Sequence, residues 1–504
     1  MKKYFLSSFL IFSIFTVSSF AQAPRTSQTV PKSTTTSAAT QKDEAPFVNK
    51  TLANGLEVIV LPDASVPIVT VELAVRNGSF TEPPELNGLS HLYEHMFFKP
   101  NQASLLYQCE KAMQGGGLSL RGRQVCAKPL SLKSVIGNVA YLDDSDQLSI
   151  SNGTTREEVV NYYYTTTSAY VKTAIRQIND AIRYPNFDEE EFEQEKRIVV
   201  GEIDRNESNP FYYLNQAINE KLFYKFPTRK LPLGTRETVL TATTDKMRTI
   251  QSRYYVPNNA ALIVTGDVNP DEIFRVAEEI FGSWEKRKVD PFKEFPLVEH
   301  PPLTKSEGII VEQPVQNVLL QIGWHGPSIG KDDAATYAAD VFSYIISQPD
   351  SRFQRAMVDS GLTVQAGLGY YTQRNVGPIQ ATLVTSPEKA KEAVKAFYAE
   401  LAQFDKPNYF SDEELESAKT ILESRDLFER EKLTEYAHTL GFWWSSTGIE
   451  YFRGYHKALR ATSRAEITRY VKTYMQNKPH IAVALISSEA QSKAKLTAED
   501  LIGK

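Results

Sequence analysis

Apolar positions along this chain follow two alternating patterns. Short runs rich in β-branched residues at 56–61, 68–75 and 260–266 read as strands. Spacings of three and four predict helices at about 88–98, stopped by Pro100, and at 168–184 and 271–281. A further helix starts at Asp188, an N-cap followed by acids, and runs to Glu202. After a stretch with four prolines at 291–302, a second set begins. It comprises strands at 308–312, 317–324 and 481–486, and helices at 334–346, 388–404, 411–440 and 464–475. Both halves are strand pairs followed by several helices. The predicted class is α+β, with two similar domains, each a mostly antiparallel sheet with helices packed on one face. Their bounds are 46–288 and 305–504, joined by a linker at 289–304. From Asn101 to about Val135 the pattern fits no single element.

Composition adds little to this picture until the ends are considered. The 504 residues are 41% hydrophobic and 23% charged, a balance that builds large cores. The net charge of −5 gives no reason to expect a nucleic-acid partner. Lys2 and Lys3, an apolar stretch at 4–20 and Ala21-Gln22-Ala23 have the layout of a secretory signal peptide at 1–23. A membrane anchor is the other reading, but the segment is short and Ser-rich for a span. Residues 24–45, rich in Ser, Thr, Gln and Pro, read as a disordered linker. No other segment is apolar enough to span a membrane, so the expectation is an exported chain, periplasmic or secreted, without a span after cleavage. The two cysteines, Cys109 and Cys126, flank a loop with three consecutive glycines. A bridge between them would contribute about 3 kcal/mol; two unpaired thiols are the alternative.

Chemistry concentrates on one predicted helix. His91 and His95 are four apart and face the same way, so they offer two imidazoles to one metal ion. Glu94 lies on the same surface, placed to take a proton from water without being a ligand. The order His-x-x-Glu-His is the inverzincin signature. With seven histidines in the chain, a chance occurrence is expected at about 0.01 or less. Catalytic zinc needs a third protein ligand and an open position, and it lowers the pKa of bound water to near 7. Glu195 and Glu202, seven apart on one helix face, are the candidates. A solvated acidic helix is the bland reading. Glu202 follows the apolar run 198–200, at what reads as the helix C-terminus, where an acid opposes the dipole.

In order along the chain stand Asn54-Gly55-Leu56, the segment 87–98, Asn152 to Thr155 with Tyr162, the segment 192–202, Tyr254-Tyr255, Asn258-Asn259 and residues 264–267. Together they resemble the pitrilysin, insulinase and mitochondrial-processing-peptidase family, over about residues 46–493. The resemblance implies one Zn2+ per chain, held by His91, His95 and Glu202. It implies Glu94 as general base and Glu195 as a supporting acid. It also implies that Asn152, on a strand bordering the cleft, holds substrate backbone as an added strand.

Two departures from the family pattern bear on function. The interval between His95 and Glu202 exceeds the family's by about thirty residues, which makes 101–135 an insertion. The family's second-domain Arg and Tyr are missing: Val358 and Val364 stand near their places, with Arg352 and Arg355 the nearest cations. His300, His325, His438, His456 and His480 are scattered and read as ordinary polar residues. The expected function is a zinc metalloendopeptidase of extended or unfolded peptides. It would be the catalytic subunit of a complex with a similar chain supplying the Arg and Tyr, a homodimer being the other arrangement. The alternative from another class is a non-catalytic zinc-binding assembly or peptide-binding subunit.

Overall fold

The computed structural model describes residues 46–148, 150–297 and 299–504. The expected signal peptide and the linker at 24–45 lie outside the described residues. Residues Phe47–Lys504 form one compact unit.

The first sheet contains β1 (Val48–Thr51), β2 (Glu57–Pro62), β3 (Ile68–Val75), β4 (Ile150–Thr155), β5 (Val160–Thr167) and β6 (Ala260–Gly266). Its order is β1-β2-β6-β3-β5-β4. The second contains β7 (Glu307–Glu312), β8 (Val318–His325), β9 (Gln365–Tyr370), β10 (Pro378–Thr385) and β11 (Ile481–Ile486), in the order β7-β11-β8-β10-β9. In each sheet one pair is parallel, β2 with β6 and β7 with β11, and the other pairs are antiparallel. Without β1, the two orders superimpose strand for strand. The α+β class with two similar, mostly antiparallel sheets is therefore what the pattern predicted.

The placement of helices refines that expectation. Side chains alternate across a strand. Val71, Leu73 and Val75 of β3 join a core with helices of their own domain, including Leu89–Phe97 and Val171–Arg183. Yet β3 is buried on both faces. The second face is covered by the helix Leu433–Ser446 of the other domain, which packs on β3 and β6. The second sheet is treated reciprocally. Leu214, Ile218 and Leu222, on the first-domain helix Pro210–Leu222, pack against Ile481, Val483 and Leu485 of β11. Each sheet thus has its own helices on one face and a helix lent by the other domain on the second.

Polar ties seal these exchanged helices. Glu72 of β3 is fully buried and pairs through Oε2 with His438 Nδ1, while Asn161 Nδ2 donates to its Oε1 at 2.9 Å. Gly441 lets the helix close on this pair, because an added Cβ would meet Glu72 Oε1 at 2.5 Å. Arg76 lies 4.1 Å from the centre of the Trp444 ring, and Trp444 Nε1 donates to Glu57 at 2.7 Å. Glu158, in the β4–β5 turn, accepts from the backbone N–H of Arg374 and Asn375 at 2.8 and 2.9 Å.

Some predicted boundaries change. The stretch beyond Asn101 is two helices, Gln102–Gln114 and Leu120–Ser131. Asn101 caps the first by accepting from Ala103 and Ser104, and Ser119 caps the second. The Gly115–Gly117 turn hid both by suggesting a loop. The helix at 411–440 is two, Asp412–Arg430 and Leu433–Ser446, with no Pro or Gly to mark the break. The helix from Glu189 runs to Glu207, so Glu202 is not at its C-terminus and the dipole argument for it fails. The proline-rich linker contains a short helix, Pro291–Glu294.

Burial disfavours a charge on His438, but the Glu72 carboxylate outweighs it and raises the pKa above the ordinary 6.5. Arg156 opposes this and Glu435 assists. A raised folded value stabilises fully below the unfolded pKa, and the contribution disappears as pH rises through the folded value. Thermal unfolding from about pH 6 to about pH 9 is expected to show wild type losing more stability than His438→Gln. Parallel curves for the two proteins would contradict this.

Candidate metal centre

The helix Leu89–Phe97 begins at Gly88, whose φ of 88° places it in the left-handed region and which has no capping side chain of its own. Glu82 supplies the cap from upstream. Its two oxygens accept from the N–H of Gly88 at 2.7 Å and of Ser90 at 2.6 Å. Burial pushes the Glu82 pKa up to about 7, and these donors oppose the rise. Asn77 donates to Ser90 Oγ at 3.0 Å and fixes the same turn from the side. Leu92, Tyr93, Met96 and Phe97 face the core, so His91 and His95 emerge on the remaining stripe.

The helix Glu189–Glu207 crosses beside it. Asp188 caps its start by accepting from Glu190 and Glu191. Two of its acids meet the histidines. Glu202 Oε2 lies 3.6 Å from His91 Nε2 and 3.8 Å from His95 Nε2. Glu195 Oε2 lies 2.9 Å from His95 Nδ1, and its other oxygen pairs with Lys99 Nζ at 2.5 Å. Among the described residues, His91, His95 and Glu202 form the one group whose ligand atoms gather for a metal ion, all within 4.8 Å.

These distances suit a metal. Bonds near 2.1 Å in a tetrahedral zinc site put ligand atoms about 3.4 Å apart. Two imidazoles and a carboxylate are a common donor set for catalytic zinc. Glu195 engages His95 through Nδ1 and leaves Nε2 turned toward Glu202, the arrangement in which a carboxylate orients a metal-binding imidazole.

The electrostatics follow from burial. His91 is pushed down to about 3 by burial and by neighbouring His95, so it stays neutral, as a ligand must. Burial also lowers His95, but Glu195, Glu202 and Glu94 reverse the direction and raise it. Burial raises Glu202. Glu195 ends below the usual carboxylate range, because His95 and Lys99 overcome its desolvation.

Glu94 is buried, and burial lifts its pKa to about 7. Thr155 Oγ1, on β4, donates to its Oε2 at 2.8 Å. Gly153 on the same strand lets the Glu94 side chain lie against the backbone, since an added Cβ would stand 2.8 Å from Cγ. β4 is the edge of the first sheet, and among the described residues no strand pairs with its outer side. Pairing with β5 puts Gly153 and Thr155 on the face of Tyr162 and Leu73, toward the histidine helix. Asn152 and Thr154 share the opposite face with Glu72. The Asn152 side chain thus points away from the histidines, and its Oδ1 accepts from the Gly153 N–H at 3.0 Å.

The other sequence candidates separate from this centre. Cys109 and Cys126 form a disulfide between the helices Gln102–Gln114 and Leu120–Ser131. Arg352 pairs with Glu400 and lies over the Tyr409 ring, and Arg355 donates to the Asp350 carbonyl. Val364 is 71% exposed. His325, His456 and His480 accept or donate hydrogen bonds within their own surroundings, and His300 packs on Phe223. Sequence reasoning missed Glu82 and Thr155. The left-handed Gly88 at a helix start hints at a remote cap, but nothing in the sequence pairs Thr155 with Glu94.

Comparison with known proteins agrees with the geometry. The family model described as insulinase, peptidase family M16, matches residues 58–120 and 144–234. The model described as the peptidase M16 inactive domain matches 241–422. The chain belongs to the insulinase, or M16, peptidase family. The uncharacterized zinc protease YmxG of Bacillus subtilis is 25% identical over 62% of this chain and 67% of its own length. Human insulin-degrading enzyme is 25% identical over 52% of this chain, which is 23% of that enzyme's length. A protease from Helicobacter pylori has the same fold at a TM-score of 0.71, with 19% identity, covering 87% of this chain and 99% of that one. The first half of the periplasmic protease PqqL from Escherichia coli matches at a TM-score of 0.69 and 16% identity, over 92% and 97%. The first family match includes the helix Gln102–Gln114 with Cys109 and skips 121–143, which holds the rest of the second hairpin helix with Cys126.

Thr155→Val removes the hydroxyl and keeps the shape. Peptide turnover is expected to show kcat about tenfold lower, with KM and bound metal little changed, and Thr155→Ser is expected to restore it. Unchanged kcat in Thr155→Val would show that turnover does not depend on the hydrogen bond from Thr155 to Glu94.

Proposed function

We propose that this chain is the catalytic subunit of an exported zinc endopeptidase that cleaves extended or unfolded peptides, and that a second, similar chain completes its active site. One observation carries the reading: His91, His95 and Glu202 gather within 4.8 Å, and Glu94 stands one residue from His95. Zinc bound by such a set supplies Lewis acidity toward a peptide carbonyl. Glu94 accepts the proton of the attacking water and delivers it to the departing amine nitrogen. Thr155 holds one Glu94 oxygen at 2.8 Å and leaves the other for that proton. Glu195 keeps His95 in the tautomer with Nε2 available.

The open edge of β4 supports strand addition as the binding mode. A peptide laid along it passes Gly153 and Thr155, and therefore Glu94. We assign Asn152, on the same edge, to the substrate backbone. The two-chain arrangement draws on one expectation and two observations. By the family resemblance, Val358 and Val364 stand near the places of a substrate-gripping Arg and Tyr. Arg352 and Arg355 are engaged within their own domain. The chain matches 50% of the full PqqL protein, which is itself named a periplasmic protease. That name and the reading of residues 1–23 support export.

Glu94→Gln is expected to retain zinc and to lose activity by about 10²–10⁴-fold. Glu202→Gln is expected to lose zinc as well, measured by metal analysis of the purified protein. Full zinc-dependent cleavage by Glu94→Gln would refute the mechanism. The chain alone is expected to cleave peptides weakly and to gain at least about tenfold on addition of a similar chain that carries the Arg and Tyr. Full activity from the isolated chain would leave the metal chemistry standing and remove the partner.

A further inference from the structure

The hairpin formed by Gln102–Gln114 and Leu120–Ser131 carries a net positive charge, four basic residues against one acid, Glu110. From Lys111 to Leu142 the sequence has five basic residues and no acidic one, in a chain of net charge −5. Lys111 pairs with Asp143 and Lys133 with Glu110. Arg121, Arg123 and Lys128 are exposed, and among the described residues no ion pair engages them. Arg121, Val125 and Lys128 fall at i, i+4 and i+7 on one helix stripe. The buried disulfide joins the two helices, and a shallow groove of about 320 Å³ runs beside it. Leu105, Ala112 and Val125 supply apolar lining, and Arg121 stands at the groove.

The hairpin is rooted beside the candidate metal centre at its upstream end. Lys99, three residues before the first helix, pairs with Glu195, which in turn holds His95. Downstream the chain runs into β4, the edge strand. A segment bound to the hairpin therefore belongs to a molecule that is also within reach of the cleft.

We infer that this hairpin is an accessory binding surface for an acidic, apolar-containing segment of an extended polypeptide substrate, outside the stretch that is cut. The inference rests on the peptidase reading for its substrate. Spacing supports an extended partner. Arg121 and Lys128 are about 10 Å apart along the helix. In an extended chain, about 3.3 Å per residue puts acids three positions apart at that distance, with apolar residues between them for the groove. A lipid surface fits less well. The exposed apolar side chains Met113, Leu120 and Val125 are scattered between cations and do not form the continuous apolar face of an interfacial helix.

The test uses the full chain with Glu94→Gln, so that peptides are bound and not consumed, and fluorescence anisotropy of labelled peptides at low salt. One peptide carries two glutamates separated by two leucines; a second carries glutamines in their place. Arg121→Glu combined with Lys128→Glu is expected to weaken the acidic peptide about tenfold and to leave the glutamine peptide unchanged. Arg121→Lys is expected to keep the preference, and zinc content and the thermal midpoint should be the same in all variants. Equal affinity for the acidic peptide before and after charge reversal would overturn the inference. So would charge reversal that abolishes co-sedimentation with phosphatidylglycerol vesicles while peptide affinity stays constant, since that assigns the surface to lipid. With Glu94 intact, failure to cleave either peptide while the acidic one still binds would count against the peptidase reading and leave the surface in place. Cleavage that ignores both acids and charge reversal would do the opposite.

Discussion

β4 is an edge strand held from both faces and, among the described residues, unpaired along its outer side, and the candidate site is built on that constraint. An open edge is normally a liability, because its free N–H and C=O groups invite pairing with other chains. Here both faces are occupied. On one, Gly153 and Thr155 lie against Glu94 of the histidine helix. On the other, Thr154 reaches Asn161, which donates to Glu72, the buried partner of His438. One strand therefore joins the candidate base to the helix lent by the second domain. The position of β4 is set by both domains at once, although His91, His95 and Glu202 all come from the first.

The second domain adds no residue to the cluster of His91, His95 and Glu202, yet its helix covers the face of β3 that carries Glu72. Without the helix Leu433–Ser446, Glu72 would be a carboxylate on an uncovered sheet face. With it, Glu72 is fully buried and must be paired. Removing one member of such a pair leaves an uncompensated buried charge, which costs about 3–5 kcal/mol. Polar ties of this kind make the closure specific as well as apolar. The reciprocal packing of Leu214, Ile218 and Leu222 on β11 applies the same logic to the second sheet.

Much of this was legible in the sequence, and the failures have physical causes. Strands β3, β6 and β11 were read well because sustained β-branched runs favour a buried strand over other structures. β9 and β10 escaped notice because Gly367, Gly369 and Gln380 dilute the pattern. The helices Pro210–Leu222 and Leu433–Ser446 pack on sheets of the opposite domain, and a one-dimensional pattern cannot name a helix's partner. At the candidate site, the spacing of His91, Glu94 and His95 reflects local helix geometry and was readable. Glu202 was weakly supported by spacing, and the dipole argument offered for it was wrong, because the helix continues to Glu207. Its place beside both imidazoles is a contact across about a hundred residues of chain, which only family resemblance anticipated. Thr155 was invisible for the same reason.

The charge arrangement around the histidines has its own logic. His91 has no hydrogen-bond partner at Nδ1 among the described residues and stays neutral through burial, whereas His95 is held by Glu195. The two imidazoles are thus not equivalent. Lys99 pairs with the second oxygen of Glu195 and limits how much negative charge that acid brings to the centre. With Glu195 balanced in this way, Glu202 is the acid left facing both ring nitrogens. A divalent cation placed among these donors would keep a net positive charge, which favours polarisation of a carbonyl and an ionised Glu94 nearby. Burial acts in the other direction and raises the Glu94 pKa. The same buried setting that keeps His91 neutral therefore also raises Glu94, and Thr155 on the edge strand holds Glu94 in register with β4.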